Sequence, residues 1–309
     1  MEFTTLGRTG LRVSRMGLGC GGHSRLGLSF GRTDEEAADV VRAALDVGVN
    51  FIDTAENYRT ETAVGLGIGG VPRDSVVIST KVAAADADGL VSAADYRSRV
   101  EGCLTRLGTD YIDVMNVHGV TPDEYDWARD ELVPVLLRMR EEGKVRSLGI
   151  TEQFITDTSH VMLRRALAED DLWDVVMVGY SVLNFSAERT VMPLVRERGC
   201  GTQLMFAVRR ALSRPAALIE LMENLVATGQ VDSGSFDAAE PLKFMGVDMA
   251  GAAYRFARHE SGMDVVLSGT SSLEHLKANA ASICAGPLSS DIVERVRSIF
   301  ARVDSASGN

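Results

Sequence analysis

The stretch GVNFIDTAENY, residues 48–58, contains the unit from which the fold of this chain is inferred. It follows the amphipathic helical pattern DEEAADVVRAALDVG (34–48), whose last residue is a glycine suited to a helix C-cap. The short apolar run that comes next is typical of a buried strand, and it ends on Asp53. A helix that leads directly into a buried strand indicates a parallel sheet covered by helices.

The same alternation extends along the chain in both directions. The runs EFTTLG and LRVSRMG, which flank the turn RTG, predict an N-terminal β-hairpin that closes the floor of a barrel. Eight repeats in about 300 residues favour a closed (β/α)8 TIM barrel over an open doubly wound sheet. No linker or shift in composition interrupts the pattern, so we expect residues 1–309 to form a single barrel domain. Strands are predicted at 13–19, 48–53, 75–82, 111–118, 144–151, 172–181, 199–208 and 263–271.

Composition excludes several classes of function. The chain has 45% hydrophobic and 24% charged residues and a net charge of −11, which argues against a nucleic-acid or anionic-membrane partner. No apolar run is long enough to span a membrane, and the first residues do not resemble a secretory signal. The scattered cysteines have neither disulfide nor metal-ligand spacing, so we expect a reduced, cytoplasmic protein without a metal. They are Cys20, Cys103, Cys200 and Cys284.

A glycine pattern near the start of the chain suggests a Rossmann dinucleotide site. In GLGCGG (17–22), Gly17, Gly19 and Gly22 have the spacing G-x-G-x-x-G. That motif requires a helix that opens directly after the last glycine. Here the next helical pattern begins only at Asp34, so the Rossmann interpretation is set aside.

Ionisable residues follow three successive strands at the barrel end where active sites form. Asp53, Lys81 and His118 end the second, third and fourth predicted strands, and Tyr58 lies in the loop after Asp53. Each residue alone is more often structural, but their co-occurrence indicates an active site. The set suits proton donation to a carbonyl oxygen as a hydride reaches its carbon: a tyrosine acid, a lysine that lowers its pKa, a carboxylate that holds the lysine and a histidine that orients the oxygen.

These residues lie within segments that resemble the aldo-keto reductase family. The segments are GVNFIDTAENY, VVISTKV, YIDVMNVH, GKVRSLGIT and SGTSSLEHLKAN, and the resemblance runs from about residue 3 to residue 285. It implies a (β/α)8 barrel that reduces a carbonyl compound, or oxidises the alcohol, with a nicotinamide coenzyme. The family's catalytic tetrad would be Asp53, Tyr58, Lys81 and His118, with Tyr58 and His118 also contacting the substrate.

The resemblance also implies coenzyme contacts. Gly19, Cys20, Gly21 and Asp53 would border the nicotinamide. Further contacts would come from Thr151, Glu152, Met177, Met205, Phe206, Arg210, Gly269, Thr270, Ser271, His275 and Asn279. Glu152 and Met177 stand where the family commonly has Asn and Gln, with Gln153 as a substitute for the first. Gly269 and His275 stand where NADPH-dependent members often have Lys and Arg. NADP(H) is the expected coenzyme, and NAD(H) is the alternative.

The substrate is less well defined by the sequence. Trp127, in the acidic loop after the fourth strand, is expected to contact it. The polar segment RVDSASGN (302–309) is expected to leave the mouth of the barrel open. Arg209 and Arg210 could bind the coenzyme diphosphate, face an acidic substrate or form surface ion pairs, and the diphosphate role is favoured only for Arg210. No role follows for 213–247 or for oligomeric state. Two other functions stay open: a Schiff-base aldolase that uses Lys81, and a non-catalytic regulator that senses the coenzyme.

Overall fold

A computed structural model describes residues 1–309, and eight parallel strands in it close into a barrel. Each barrel strand pairs with the next one along the chain, and the last pairs with the first. The predicted (β/α)8 barrel is therefore confirmed. The barrel strands are Met16–Gly19 (β3), Phe51–Asp53 (β4), Val77–Ala83 (β5), Ile112–Val120 (β8), Val145–Glu152 (β9), Val175–Gly179 (β10), Gly201–Met205 (β11) and Val265–Ser268 (β12). Outside the barrel lie β1 (Phe3–Thr5), β2 (Arg12–Ser14), β6 (Ala85–Asp86) and β7 (Gly89–Leu90).

Helices connect the strands and cover the outside of the barrel. The helix before β4 begins with a capping box, in which Thr33 and Glu36 satisfy each other's backbone N–H groups. The helices are Asp34–Asp46 (α1), Glu61–Ile68 (α2), Ala93–Leu107 (α3), Tyr125–Trp127 (α4), Val133–Glu141 (α5), Val161–Glu169 (α6), Ala187–Thr190 (α7), Met192–Arg198 (α8), Arg210–Ser213 (α9), Pro215–Ala227 (α10), Met249–Glu260 (α11), Leu273–Cys284 (α12) and Ser290–Phe300 (α13). No helix has the length and apolarity that crossing a bilayer demands.

The N-terminal hairpin closes the floor of the barrel, as predicted. Strands β1 and β2 pair antiparallel, with Phe3 opposite Ser14. Leu6 and Val13 of the hairpin are fully buried against the lowest inward-facing side chains. Those side chains are Phe51, Val77, Val114, Val175 and Val265.

Polar side chains lie above this apolar floor. Because strand side chains alternate between the two faces, residues two positions beyond the floor residues also face the lumen. These include Asp53, Ser79, Asn116 and Met177, and Gln203 lies in the same way two positions beyond Gly201, which contacts Leu6. Two further positions along lead to Lys81 and His118 at the mouth. The barrel therefore carries its ionisable groups at the carboxyl ends of its strands.

The structure contains elements that the sequence patterns did not predict. The short hairpin β6–β7 follows β5, helix α10 occupies part of 213–247, and α13 follows α12. The barrel strands are also shorter than most of the apolar runs. The predicted strands end at Ser181 and Val208, past the observed ends of β10 and β11. The predictions are too long because apolar residues continue into the loops that pack around the mouth.

Candidate active site

A buried ion pair joins the ends of β4 and β5. Lys81 Nζ lies 2.8 Å from each carboxylate oxygen of Asp53 and also donates to the Thr54 carbonyl at 2.7 Å. Both side chains are buried. Burial opposes the charged ammonium, but Asp53 and Tyr58 together raise the pKa of Lys81 above its ordinary value. Lys81 is therefore a fixed cation at the mouth of the barrel.

Tyr58 lies beside this cation. Its ring centroid is 4.8 Å from Lys81 Nζ, and a β-carbon built on Gly21 would lie 2.5 Å from the ring. Residue 21 must therefore be glycine for the phenol to occupy this position. Burial raises the pKa of Tyr58, and Lys81 opposes that rise. The net direction is upward, which differs from the lowering expected from Lys81 alone, so Tyr58 is a protonated phenol at neutral pH.

His118 completes the group. Its ring packs edge-to-face on Tyr58, with centroids 5.5 Å apart and planes at 84°. Burial, together with the Lys81 ammonium, lowers the pKa of His118 to about 3. A neutral imidazole has one N–H donor, which suits it to orient a carbonyl oxygen. The structure thus brings together all four residues of the predicted tetrad.

A buried amide and hydroxyl layer supports the tetrad from below. Ser79 Oγ lies 3.1 Å from both Asp53 Oδ1 and Gln203 Oε1, and it accepts a hydrogen bond from Asn116 Nδ2 at 3.0 Å. A β-carbon on Gly149 would lie 2.2 Å from Asn116 Oδ1, so Asn116 can occupy its position only because residue 149 is glycine. This layer fixes the Asp53 carboxylate, and through it the Lys81 ammonium.

The ends of β3 and β12 meet without side chains between them. A β-carbon on Gly269 would lie 2.8 Å from the Gly19 carbonyl oxygen, and Gly19 has no atom closer than 3.8 Å to its own β-carbon position. Cys20 is fully buried, and its N–H donates to the Asp53 carbonyl at 2.8 Å. This backbone-lined corner, next to Gly21 and Tyr58, can receive a flat ring at close range.

The start of α12 carries hydroxyl groups and free N–H groups. Ser272 caps the helix by accepting from the His275 N–H, and Thr270 Oγ1 accepts from the Ser272 N–H. His275 is exposed, and Asn279 Nδ2 donates to Ser268 Oγ at 2.9 Å. A hydroxyl-rich helix start of this kind suits the phosphate groups of a dinucleotide. The residues present at β3, β12 and α12 therefore fit a nicotinamide coenzyme.

An arginine that the sequence did not single out reaches this region. Arg32, at the end of the loop after β3, donates from Nη1 to the Ser271 carbonyl at 2.8 Å. The loop therefore extends across to the start of α12. Arg32 had no signal in the sequence, since it lies in a polar segment 239 positions from its partner.

Glu152 is engaged within the protein. Its carboxylate lies within hydrogen-bond distance of His160 Nδ1, at 2.9 and 3.0 Å, and accepts from the Gly179 N–H at 2.8 Å. His160 Nε2 lies 3.1 Å from Ser186 Oγ. These side chains are buried, and the Phe154 ring stacks on His160 at 5.4 Å. This cluster stabilises the loops after β9 and β10, and it was not predicted.

The remaining predicted contacts near the nicotinamide corner lie at the ends of β9, β10 and β11. Thr151 Oγ1 accepts from the Gly119 N–H at 2.6 Å. Met177 is buried in the lumen and Met205 is half-buried at the mouth. Phe206 follows with a φ of 71° and packs edge-to-face on Phe154 at 5.4 Å.

Two predicted contacts lie farther out. Arg210 is exposed, with Nη2 3.6 Å from a carboxylate oxygen of Glu220. Trp127 donates from its indole N–H to the Val91 carbonyl at 3.0 Å and packs against the core. That bond holds Trp127 to the segment after β7, away from hydrogen-bond or ring contact with the tetrad.

The segment 302–309 corrects the expectation of an open mouth. Val303 and Ala306 are buried, and Asn184 Nδ2, in the loop after β10, donates to the Ala306 carbonyl at 3.1 Å. Asn309 Oδ1 accepts two hydrogen bonds from Arg209. Two buried side chains and backbone bonding are sufficient to hold this mostly polar segment against the loops at the mouth.

The chain is similar in sequence to known proteins. The sequence model of the Aldo/keto reductase family matches residues 16–301. L-Galactose dehydrogenase from Arabidopsis thaliana is 27% identical over 294 residues, which cover 92% of this chain and 88% of the relative. The NADH-specific methylglyoxal reductase of Escherichia coli strain K12 is 30% identical over 230 residues, covering 69% of both proteins.

Solved structures share the fold. An aldo-keto reductase from Bacillus halodurans, in its holo form, has 25% sequence identity and a TM-score of 0.71, covering 99% of this chain and 97% of that one. An aldo/keto reductase from Klebsiella pneumoniae, in complex with NADP and acetate, has 23% identity and a TM-score of 0.68. The latter match covers 99% of this chain and 100% of the other, and it shows a likeness of fold.

Proposed function

Since the chain belongs to the aldo/keto reductase family, we propose that it interconverts an aldehyde or ketone and its alcohol with a nicotinamide coenzyme, and that Tyr58 is the proton donor. The observation that carries the proposal is the grouping of Tyr58, Lys81 and His118 at one end of the barrel. The coenzyme supplies or accepts the hydride when bound. The protein's own residues hold the substrate oxygen and move one proton.

Tyr58 gives its hydroxyl proton to the carbonyl oxygen during reduction and takes it back during oxidation. The phenolate that remains after donation lies beside the Lys81 ammonium, which stabilises the negative charge. Asp53 keeps Lys81 charged and fixed. His118, neutral because its pKa is lowered to about 3, donates a hydrogen bond to the same carbonyl oxygen. The reacting carbonyl therefore lies between Tyr58 and His118.

The coenzyme contacts follow from the glycine corner and the α12 start. Gly19, Cys20 and Gly21 would border the nicotinamide, and Thr151, Met177, Met205 and Phe206 would contact it from the other strands. Thr270, Ser271 and Asn279 would hold its phosphate end. We propose NADP(H) as the coenzyme, as the family resemblance implies. NAD(H) is the alternative, because the exposed imidazole of His275 cannot bind a 2′-phosphate bidentately as a guanidinium does.

Lys81 is poorly suited to Schiff-base chemistry. A lysine must lose its proton before it attacks a carbonyl. Here Asp53 and Tyr58 raise the pKa of Lys81, so the amine stays protonated at neutral pH. Borohydride trapping of an aldehyde on Lys81 would favour the aldolase alternative. Tight coenzyme binding without turnover of any carbonyl compound would favour the regulator.

Coenzyme binding and turnover test the proposal together. Quenching of the fluorescence of Trp127 and Trp173 on titration with NADPH and NADH gives the two dissociation constants. Turnover of an aldehyde and ketone panel, followed at 340 nm by nicotinamide absorbance, gives the activity. The proposal expects binding and oxidation of at least one reduced coenzyme, and absence of both would overturn it.

We also propose a cytoplasmic location, since all four cysteines are free thiols.

A further inference from the structure

Arg209 projects into the mouth of the barrel from the loop after β11. Its guanidinium lies over the Phe206 ring, 4.3 Å from the centroid. Nε and Nη2 donate to Asn309 Oδ1 at 3.1 and 2.6 Å. The side chain is half-buried and held on two sides, so its position is defined by the fold.

The third nitrogen of the guanidinium faces the catalytic corner. A β-carbon built on Gly22 would lie 3.7 Å from Arg209 Nη1, while one built on Gly21 would touch the Tyr58 ring. Consecutive Cα atoms are about 3.8 Å apart. Arg209 and the ring of Tyr58 therefore lie beside consecutive residues of the loop after β3. Burial lowers the pKa of Arg209, and the group that opposes this is Tyr58.

Arg209 has no carboxylate partner, although a guanidinium removed from water usually has one. Its hydrogen bonds go to a neutral amide. Arg297, which is also half-buried, pairs instead with both Glu188 and Glu260. The positive charge of Arg209 is therefore available to a ligand.

From this geometry we infer that Arg209 binds a carboxylate on the substrate, so that the proposed carbonyl compound is an oxo acid or an aldehyde acid. The inference rests on the proposed function. A guanidinium binds a carboxylate with charge-assisted, often bidentate hydrogen bonds. Because Arg209 adjoins the proton donor, it meets the substituent of the reacting carbonyl. In a bound coenzyme a ribose separates the diphosphate from the nicotinamide ring, which would place the diphosphate farther from Tyr58.

Paired substrates test this inference. Glyoxylate and 4-oxobutanoate are each compared with their own methyl ester, which keeps the aldehyde and removes the negative charge. In Arg209→Met, we expect kcat/KM for the acids to fall about 10- to 100-fold more than for the esters, mainly through KM. Arg209→Lys retains part of the preference, and Arg302→Met, which alters an exposed arginine, leaves it unchanged. The dissociation constant of the coenzyme is measured for each variant.

A second variant avoids removal of the arginine. Asn309→Asp places a carboxylate against the guanidinium, so kcat/KM for the acids falls while kcat/KM for the esters does not. Equal losses for acids and esters, or weaker coenzyme binding in Arg209→Met, would overturn the inference and assign Arg209 to packing or to the coenzyme phosphates.

Failure of the proposed function gives a different result. The wild-type protein then turns over neither acid nor ester. Calorimetric titration with 4-oxobutanoate separates the two ideas: binding that is lost in Arg209→Met supports the carboxylate site, and absent or unchanged binding overturns it.

Discussion

Lys81 Nζ lies 2.8 Å from both carboxylate oxygens of Asp53, and the two side chains are buried at adjacent strand ends. A buried pair of this kind is costly to form, since each ion loses its hydration. Here the remaining polar atoms are also satisfied: Lys81 donates to the Thr54 carbonyl, and Ser79 lies within hydrogen-bond distance of Asp53. The pair fixes a positive charge beside Tyr58, which is its use in the proposed reaction.

Removal of one member of this pair will destabilise the fold. Lys81→Met leaves the Asp53 carboxylate buried and unpaired, so we expect the free energy of unfolding to fall by about 3–5 kcal/mol. Addition of Asp53→Asn removes the unpaired charge and will recover part of that loss. Urea unfolding of the wild type, both single variants and the double variant measures the coupling.

The control for this cycle is a surface lysine. Lys144 pairs with Glu101 and Glu142 at the exposed surface, so Lys144→Met will cost less than about 1 kcal/mol. Strictly additive losses for Asp53→Asn and Lys81→Met would show that the two side chains do not interact as the structure indicates.

Tyr58→Phe tests the proton donor. The substitution removes one oxygen and keeps the ring that packs against Gly21 and His118. We expect kcat to fall by about 10²- to 10⁴-fold, the usual contribution of a general acid, with coenzyme affinity unchanged. Steady-state turnover and fluorescence titration measure the two quantities.

Tyr111→Phe provides the matched control. Tyr111 precedes β8, at the opposite end of that strand from His118, and its ring lies under the guanidinium groups of Arg73 and Arg146. Its hydroxyl is not part of the site, so activity should persist. Undiminished turnover by Tyr58→Phe would assign proton donation to another group.

The barrel and the tetrad could be predicted because both follow from local patterns. Apolar runs that alternate with amphipathic helices determine the strand order, and the strand ends then bring Asp53, Lys81 and His118 to one mouth. Contacts between polar loops leave no such periodic signal. Arg209 and Asn309 are 100 positions apart, and neither lies in a patterned segment. The tertiary fold brings these two residues together, and their residue types give no sign of the contact.

Burial also determines the pKa of Tyr58 and the surroundings of Glu152, and the sequence did not predict either. The sequence predicts that Lys81 lowers the pKa of Tyr58, but the loss of water around the phenol is the larger effect and the pKa rises. Glu152, at the end of β9, was expected to face the coenzyme. In the structure the buried His160, 8 positions along the chain, contacts this carboxylate at 2.9 Å, and its own φ of 62° is uncommon for a residue other than glycine.

The lowered pKa of His118 predicts acid sensitivity. The unfolded chain binds a proton at the ordinary histidine pKa of about 6.5, whereas the folded protein does so only near pH 3. Between these values the unfolded state binds more protons, so the free energy of unfolding decreases as pH falls from about 6.5 toward 3. His118→Gln removes this contribution and should flatten the dependence in that window.

Urea midpoints at pH 7, 6, 5 and 4 measure this effect. His23→Gln, at an exposed histidine, is the control and should follow the wild type. If His118→Gln loses stability with acid as steeply as the wild type, His118 is not the group responsible, and the imidazole takes up its proton without cost in the folded state.

The buried contact between Glu152 and His160 gives a prediction that separates structural support from coenzyme binding. His160→Ala leaves the Glu152 carboxylate with the Gly179 N–H alone and opens space beside Phe154. We expect the free energy of unfolding to fall by about 3 kcal/mol or more. Glu152→Gln keeps an acceptor for the Gly179 N–H and a polar partner for His160, so it should cost about 1 kcal/mol.

Urea unfolding measures both variants, and coenzyme titration of Glu152→Gln provides the second readout. A changed dissociation constant with stability retained would place Glu152 among the coenzyme contacts. An unchanged constant, together with the large loss in His160→Ala, would assign the pair to the stability of the loops after β9 and β10.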